Sequence, residues 1–311
     1  MKPRLVVILG PTAAGKSESA VDLATEIGAE IINADSQQVY RYMDIGTGKP
    51  AMAVRARIPH HLIDVVDPDG EFNVAMFRAL AIRSAEDIWS RNKPVIVCGG
   101  TGLYIKALTR GLFTGPGQDA AIRGVLADEI DAAGLGGLYA RLERIDPVAA
   151  VWIHPNDRQR IVRALEVYEL TGKPISFWQK QHAFSESPFE VLQIGLARER
   201  AELYTLINQR CDQMIAAGLV EEVKGLVAKG YSLGLKSLQS VGYRQVGLFL
   251  GGDMTLDEAV TLMKRDTRRL AKRQLTWFRR EDDILWLHPE REKEKIKRLG
   301  KDFLVSRIPP P

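Results

Sequence analysis

The residues best suited to chemistry begin with a glycine-rich segment near the N-terminus. This phosphate loop comprises Gly10, Pro11, Thr12, Ala13, Ala14, Gly15, Lys16 and Ser17, follows an apolar run and fits the pattern G-x-x-x-x-G-K-[ST]. In such a loop the backbone N–H groups converge on phosphate oxygens, the lysine adds positive charge and the serine hydroxyl can ligate Mg²⁺. The sequence therefore predicts a di- or triphosphate site with Ser17 as a metal ligand.

A second candidate is the carboxylate of Asp35, in the segment IINADSQQVY. The apolar pair Ile31 and Ile32 is typical of a buried strand, and Ser36, Gln37 and Gln38 follow the acid as a polar crevice would require. Asp35 is open to three interpretations at this point. It is a magnesium ligand, a general base, or the cap of the next helix.

An acid that would complete a nucleotide-hydrolysing site is harder to find. The central strand pattern, Val95–Val97, runs into Cys98 and two glycines, where such enzymes carry an acid that holds the metal through water. Asp64 and Asp67 are substitutes, although Asp67 precedes a proline and is typical of a turn. The incomplete apparatus favours a reaction in which diphosphate is itself the leaving group.

The segment GGTGLY, residues 99–104, places Thr101 after that central strand. Ligands of open α/β sheets bind beyond the carboxyl ends of the strands, where Thr101 offers a hydroxyl and an amide. The alternative is a strand-to-helix turn that Thr101 caps.

The elements that must position these residues alternate in the α/β manner. Strands are predicted at Leu5–Leu9, Ile31–Ala34, Leu62–Val66 and from Val95, with helices at Lys16–Ile27 and Phe72–Arg91. Gly28 is predicted to cap the first helix. The fold class is therefore α/β, a P-loop NTPase-like core with a parallel sheet.

A helical insertion interrupts this core. Only helical periodicity is evident from residue 118 to 188, and strand character returns at Phe189–Ala197. We expect one domain from residues 1–117 and 189–311, ending in helices, and a helical domain from residues 118–188.

Composition narrows the class of protein. The 311 residues are 45% hydrophobic and 26% charged, which allows the chain to bury a full core. The net charge of +4 is compatible with a polyanionic partner. Cys98 and Cys211 form no C-x-x-C pattern, which argues against a disulfide framework or structural zinc site and favours the reducing cytoplasm. No segment has the length of a membrane span, so we expect no membrane partner.

Two basic segments could contact nucleic acid. The row Arg265, Arg269 and Arg273 favours a contact with a phosphate backbone, the alternative being a solubilising helix. Arg160 and Arg163 are predicted on an exposed face, and the commoner interpretation of such a face is a charged surface that contacts only solvent.

The segment KSLQSVGYRQVG, residues 236–247, has the residue types that bind unpaired RNA. Gln239 could read a base edge, Tyr243 could stack on a base and Arg244 could bind phosphate.

Taken together, seven segments resemble the bacterial tRNA dimethylallyltransferases, or isopentenyl-tRNA transferases. They are GPTAAGKS, NADSQQVY, DIGTGKP, PHHLIDVVDP, GGTGLY, DPVAAVWIHPNDRQRIVRALEVYELTGKP and QSVGYRQ, in the family's order from about Leu5 to Glu281. The resemblance implies transfer of a dimethylallyl group from dimethylallyl diphosphate to N6 of adenosine-37, beside the tRNA anticodon. The chain lacks the additional Cys and His residues of family members with a C-terminal zinc finger.

The resemblance also implies roles for individual residues. Thr12 to Ser17 would hold the diphosphate with Mg²⁺, assisted by Arg210, while Asp35 acts as general base and Thr101 orients the reacting centre. The implied tRNA contacts are Asp35, Ser36, Gln37, Gln38, Thr101, Arg123, Gln159, Arg160, Ile161, Val162, Arg163, Gln239, Ser240, Val241, Gly242, Tyr243 and Arg244. The helical insertion is expected to bind the anticodon stem-loop.

Two other functions are compatible with the same residues. One is a small-molecule kinase that uses ATP at the phosphate loop, with Asp35 activating an acceptor hydroxyl. The other is an RNA-binding NTPase in which nucleotide occupancy controls RNA affinity. Of the three we expect the tRNA prenyltransferase, as a cytoplasmic monomer.

Overall fold

The computed structural model describes residues 2–111, 115–182 and 188–305. The chain divides into two compact units, one made of Met1–Thr109 with Pro188–Pro311 and the other of Arg110–Ser187. The second unit contains residues 118–187 of the helical insertion predicted for 118–188, together with residues 110–117, whereas Pro188 belongs to the first unit. We call them the sheet unit and the helical unit.

The sheet unit is built on one parallel sheet. Its strands are β1 (Arg4–Leu9), β2 (Glu30–Asn33), β3 (His60–His61), β4 (Val95–Gly99), β5 (Glu190–Leu196) and β6 (Ile284–Leu287). Their order is β3-β2-β4-β1-β5-β6, and every neighbouring pair is parallel. The predicted α/β fold class is confirmed, and β1, which leads into the phosphate loop, lies inside the sheet as its apolar sequence requires.

Helices follow the strands in chain order. They are α1 (Lys16–Ile27), α2 (Met52–Arg57), α3 (Val74–Ser90), α4 (Gly102–Arg110), α5 (Ala120–Ile145), α6 (Pro147–Trp152), α7 (Arg158–Thr171), α8 (Ile175–His182), α9 (Arg200–Ala216), α10 (Leu219–Ala228), α11 (Tyr243–Leu250), α12 (Leu256–Phe278) and α13 (Lys293–Val305). None of the helices in the described part of the chain combines the length and hydropathy needed to cross a membrane.

The helix after the phosphate loop has its predicted bounds. Ala20, Leu23 and Ala24 are buried along one face of α1, and Gly28 ends the helix in the left-handed region at φ 68°. That face packs against α13, where a Cβ at Gly300 would lie 2.4 Å from Leu23 Cδ2. Close packing on this side fixes the helix N-terminus that faces the phosphate site.

The strand predicted at Leu62–Val66 is wrong. The strand ends at His61, because Leu62 and Asp64 adopt left-handed backbone conformations at φ 62° and 58°. Lys49 Nζ lies 2.6 Å from Asp64 Oδ1 and holds this irregular segment. Leu62 and Ile63 are buried, and Val66 pairs with Tyr40 in an isolated bridge rather than in a ladder.

The helical unit has its own core. Leu126, Leu138 and Leu142 of α5 pack with Ile161 and Leu165 of α7. The unit needs no sheet because these helices bury their apolar stripes against one another.

Candidate active site

A cavity of about 470 Å³ lies in the sheet unit beyond the carboxyl ends of β1, β2 and β4. Its lining includes Thr12, Lys16, Ser17, Asp35, Ser36, Gln37, Gln38, Thr101, Arg210, Gln239, Ser240 and Val241. This phosphate-loop cavity brings together the two predicted catalytic residues and many of the predicted diphosphate and RNA-contact residues of the sheet unit, but not Gly242, Tyr243 or Arg244. Ligands of open α/β sheets bind at this edge.

Two glycines give the phosphate loop its shape. Gly10 has φ 146°, and a Cβ there would lie 2.7 Å from the carbonyl oxygen of Leu196. Gly15 has φ 91° and directly precedes α1. Side chains at either position would be strained, so the sequence pattern and the backbone conformation agree.

Lys16 is the cation of the loop. Its Nζ donates to the carbonyl oxygen of Pro11 at 2.7 Å, and burial lowers the pKa of the ammonium to about 8. A bound diphosphate would compete with that carbonyl and stabilise the charged form. Ser17, the first-turn hydroxyl, is exposed beside it.

Arg210 of α9 brings a second cation into the cavity. Among the described residues its guanidinium has no hydrogen bond and no carboxylate partner, and burial lowers its pKa. A Cβ at Gly48 would lie 2.0 Å from Arg210 Nη2, so the loop glycine makes room for the guanidinium. A half-buried cation without a protein partner is suited to bind an anionic ligand.

Asp35 is the one carboxylate among the described residues that line this cavity. Its Oδ1 accepts from the backbone N–H groups of Gln37 at 2.8 Å and Gln38 at 3.4 Å. The interpretation of Asp35 as the cap of the next helix is wrong, because that helix, α2, begins at Met52; Oδ1 instead fixes a turn. Oδ2 has no hydrogen-bond partner within the described chain and is free for a substrate proton.

Thr101 connects the ends of β2 and β4. Its Oγ1 accepts from Ser36 N–H at 3.0 Å, and its own N–H donates to the Ala34 carbonyl at 3.2 Å. Thr101 precedes α4, as the capping alternative supposed, but its side chain bonds to Ser36. The hydroxyl proton stays available to a ligand.

Gln37 and Gln38 are used differently. Gln37 Oε1 is buried and has no hydrogen-bond partner among the described residues. Gln38 Nε2 donates to the carbonyl oxygens of Thr47 and Gly48, both at 3.2 Å, and so braces the loop beside Arg210. Of the pair, Gln37 is the open acceptor, and a buried acceptor left unpaired has a free-energy cost that a ligand donor would relieve.

The segment of residues 239–244 only partly faces the cavity. Gln239, Ser240 and Val241 line it, whereas the Tyr243 ring is fully buried and its hydroxyl donates to Glu222 Oε1 at 2.5 Å. The stacking role predicted for Tyr243 is therefore wrong, because the ring has no exposed face. Gly242 precedes α11 at φ 98°, and Arg244 Nη2 binds Asp266 Oδ2 at 2.7 Å.

The two acids considered as substitutes for a metal-holding carboxylate do not line the cavity. Asp64 bonds to Lys49 and to Arg55 Nη1 at 2.8 Å, and Asp67 bonds to Arg41 Nη1 at 3.2 Å. Both carboxylates serve the local fold. Neither acid is therefore placed to hold a metal ion in the phosphate-loop cavity, in agreement with the incomplete hydrolysis apparatus expected from the sequence.

Gln274 of α12 was missed by the sequence reasoning. Its Oε1 accepts from Thr12 N–H and its Nε2 donates to the Gly100 carbonyl, both at 2.9 Å. One amide side chain therefore joins the phosphate loop to the segment that carries Thr101. A lone glutamine within a basic stretch gave no signal of this role.

The three arginines of the basic row on α12 have different surroundings in the structure. Arg265 and Arg269 bind Asp266 Oδ1 at 3.1 and 3.4 Å, whereas Arg273 lines the phosphate-loop cavity. Both Asp266 partners remain about half exposed, so they can also meet a polyanion.

In the helical unit, two predicted RNA contacts share a buried carboxylate. Arg123 Nε lies 2.7 Å from Glu166 Oε1, and Arg163 Nη1 lies 2.8 Å from Glu166 Oε2. Burial alone would raise the pKa of Glu166, but the two arginines hold it below its usual range.

The neighbouring residues of α7 differ in exposure. Gln159 and Arg160 are exposed and Val162 is half-buried, while the Ile161 side chain is fully buried. A direct contact by Ile161 would have to use its backbone.

The possible metal ligands are few. Within the described residues, no group of three or more His, Cys, Asp or Glu side chains could hold a metal ion. Mg²⁺ commonly keeps its waters and binds through one or two protein oxygens together with substrate phosphates. The exposed Ser17 hydroxyl beside the phosphate loop fits that mode.

Comparisons with known proteins extend over most of the chain. Residues 38–281 match the family model described as IPP transferase. The chain is 53% identical over 286 residues to a tRNA dimethylallyltransferase of Geobacter metallireducens, covering 92% of this chain and 93% of that one.

Solved structures agree with the sequence relatives. A full-length tRNA isopentenylpyrophosphate transferase from Bacillus halodurans has a TM-score of 0.73 at 39% identity, covering 98% of both chains. A eukaryotic dimethylallyltransferase acting on tRNA has a TM-score of 0.82 at 28% identity, covering 98% of this chain and 80% of that one. The likeness therefore extends to the backbone.

Proposed function

The chain belongs to the IPP transferase family, and from that premise we propose that it is a tRNA dimethylallyltransferase. The reaction moves the dimethylallyl group of dimethylallyl diphosphate to N6 of adenosine-37 in tRNA and releases diphosphate. The observation that carries the proposal is a cavity lined by the phosphate loop, by Arg210 without a carboxylate partner and by one carboxylate, Asp35, as far as the described residues show.

The phosphate loop serves the leaving group. As the bond between the allylic carbon and the diphosphate oxygen breaks, its electron pair remains on the diphosphate. Loop N–H groups, Lys16 and Arg210 stabilise the developing negative charge. An allylic carbon can carry positive charge, so stabilising the leaving group is the main electrostatic demand.

Asp35 serves the acceptor. An exocyclic adenine amine is a poor nucleophile, and N6 becomes acidic as its bond to the allylic carbon forms. The free Oδ2 of Asp35 takes that proton, while the turn bonded to Oδ1 fixes the carboxylate. Gln37 Oε1 can accept from the second N–H of the amine, and Thr101 orients the reacting centre.

Mg²⁺ would be held by the Ser17 hydroxyl and the diphosphate oxygens, and it would supply additional charge neutralisation for the leaving group. Lys16 and Arg210 act on the same oxygens from the protein side. The donor set is compatible with this ion because phosphate oxygens complete the coordination.

The tRNA must present an unstacked adenine. Reaching a cavity at a sheet edge requires that the base leave its stack, as in other enzymes that modify bases. The exposed Gln159 and Arg160 and the half-exposed Arg163 of the helical unit are suited to bind the anticodon stem-loop through its phosphates. The two free cysteines are compatible with the reducing cytoplasm, and we propose that the enzyme acts there as a monomer.

The test is a transfer assay with radiolabelled dimethylallyl diphosphate and undermodified tRNA. We expect label in the RNA and release of diphosphate, with no requirement for ATP. A tRNA whose adenosine-37 is replaced by guanosine is the matched control and should stay unlabelled. Unlabelled tRNA combined with ATP turnover would refute the proposal and favour a kinase or an NTPase.

A further inference from the structure

A second cavity of about 650 Å³ lies in the sheet unit beyond the ends of β5 and β6. It shares no lining residue with the phosphate-loop cavity, and the transfer reaction uses none of its side chains. Its wall includes Arg200, Tyr204, Lys272, Arg279, Trp286 and Arg291.

The charge around this cavity is strongly positive. Arg200, Lys272, Arg279 and Arg291 are exposed, and among the described residues none of them has a carboxylate partner. The one acid in the described lining is Glu199. Four unneutralised cations around one concave surface create a potential that favours an anion.

The inner wall is fixed by Arg198. Its side chain is 6% exposed and is held by Glu202 and by Glu290, whose Oε1 lies 2.7 Å from Nη2. Arg198 Nε is buried without a hydrogen-bond partner among the described residues. Two carboxylates therefore hold this arginine in the wall behind the exposed cations, and its Nε–H is left unsatisfied by the described residues.

Two aromatic rings complete the lining. Tyr204 has the guanidinium carbons of Arg200 and Arg268 at 5.1 and 5.9 Å from its ring centroid. The Trp286 indole packs on β5, because a Cβ at Gly195 would lie 2.7 Å from Trp286 Cε3. Aromatic faces beside arginines are suited to stack with a base whose phosphate is bound by the cations.

We propose that this second cavity binds a nucleoside phosphate, with the base against Trp286 and the phosphate between Arg279 and Arg291. The ligand chemistry is the same for a free nucleotide and for one nucleotide of a bound RNA. Binding of a free nucleotide does not depend on the proposed function, whereas binding of one nucleotide of a tRNA rests on it.

The experiment is calorimetric titration of the full chain with AMP in a Lys16→Ala/Arg210→Ala background, which removes the cations of the phosphate-loop cavity without adding a competing anion. The variants are Arg279→Ala/Arg291→Ala and Trp286→Leu, with Arg298→Ala, an exposed arginine of α13 outside the cavity, as the control. Thermal unfolding confirms that each variant is folded. A second arm measures binding of an anticodon stem-loop RNA to the same proteins.

We expect AMP binding about tenfold weaker or worse in the double variant and unchanged in Arg298→Ala, because hydrogen bonds to charged groups contribute about that factor. If AMP does not bind, a comparable loss of RNA affinity confined to the cavity variants assigns the site to an RNA nucleotide. No difference from the control in either arm overturns the proposal. Transfer activity of the unaltered chain is measured separately, so failure of the proposed function is distinguishable.

Discussion

The phosphate-loop cavity and the helical unit place arginines in contrasting surroundings. Arg210 faces the cavity with no carboxylate partner among the described residues, whereas Arg123 and Arg163 both bind the fully buried Glu166. In sequence all three are arginines expected to meet a ligand. The difference teaches that a polar group left unpaired by the protein is available for chemistry, whereas one bound to a buried carboxylate stabilises the fold first.

If that contrast is right, substitutions in the cavity reduce function without reducing stability. Substitution of Glu166 in the helical unit reduces stability without reducing pyrophosphate binding. The largest effect is expected for Asp35→Asn, which keeps the Oδ1 acceptor of the turn but removes the base. Transfer should fall about 10³-fold, the usual range for loss of a general base. Single-turnover kinetics measure the transfer rate, and pyrophosphate titration measures binding at the phosphate loop.

In the Asp35→Asn protein, pyrophosphate affinity and the unfolding midpoint should match those of the unaltered chain. Loss of pyrophosphate or Mg²⁺ affinity instead would make Asp35 chiefly a metal ligand. Asp35→Ala, which also removes the turn acceptor, separates the turn-fixing role of Asp35 from its role as a base.

The next effect concerns Glu166→Gln in the helical unit. Removing this carboxylate leaves two arginines without their partner, and we expect a loss of about 3 kcal/mol in the free energy of unfolding. Urea unfolding measures it, with pyrophosphate binding as the readout that should not change. An unfolding free energy equal to that of the unaltered chain would erase the contrast between the two regions.

A smaller effect is expected for Arg210→Gln. Because the guanidinium makes no ion pair in the described structure, the free energy of unfolding should stay the same. Pyrophosphate affinity should fall about 30-fold, within the range for charged hydrogen bonds. Equilibrium titration checks this, and destabilisation without weaker binding would count against the comparison.

The pH dependence of pyrophosphate binding tests whether Lys16, like Arg210, attracts the anionic ligand through its charge. With its pKa lowered to about 8, the ammonium is charged below that pH and neutral above it, so its attraction for pyrophosphate declines as pH rises through 8. Lys16→Arg stays charged throughout and is the matched control. The affinity ratio of the unaltered chain to this variant should fall as the pH rises from 7 to about 9, and a constant ratio would contradict the interpretation.

The smallest effect is expected for Arg269→Ala, because the Arg269 side chain is 61% exposed and Asp266 keeps Arg244 and Arg265 as partners. Stability should change by less than about 1 kcal/mol. If α12 contacts an RNA phosphate, the slope of log affinity against log salt should fall by about one. Arg83→Ala, an exposed arginine of α3, is the control, and an identical slope for both variants would remove Arg269 from the RNA surface.

Local patterns predicted the parts of the molecule that depend on neighbours in sequence. The phosphate loop and α1 follow from a motif and a helical repeat, and β1, β2, β4 and β5 follow from apolar runs. Leu62–Val66 misled this reasoning because the long-range bonds of Asp64 to Lys49 and Arg55 select left-handed conformations that a local pattern does not encode.

The partners of polar side chains were the least predictable feature. Glu166 is distant in sequence from Arg123, and Gln274 reaches the phosphate loop from the far end of the chain. Spacing gave no sign that Tyr243 would be buried on Glu222. Such contacts depend on the assembled fold, which is why residue type alone did not distinguish a binding arginine from a structural one.

The measurement that tests the central claim most directly is a crystal structure with Mg²⁺ and dimethylallyl thiodiphosphate, an analogue that is cleaved slowly. We predict that its phosphates lie on residues 12–17 and the Arg210 guanidinium, with Asp35 Oδ2 free of the metal and facing the allylic carbon. Phosphates bound elsewhere, or Asp35 coordinating the ion, would contradict the account.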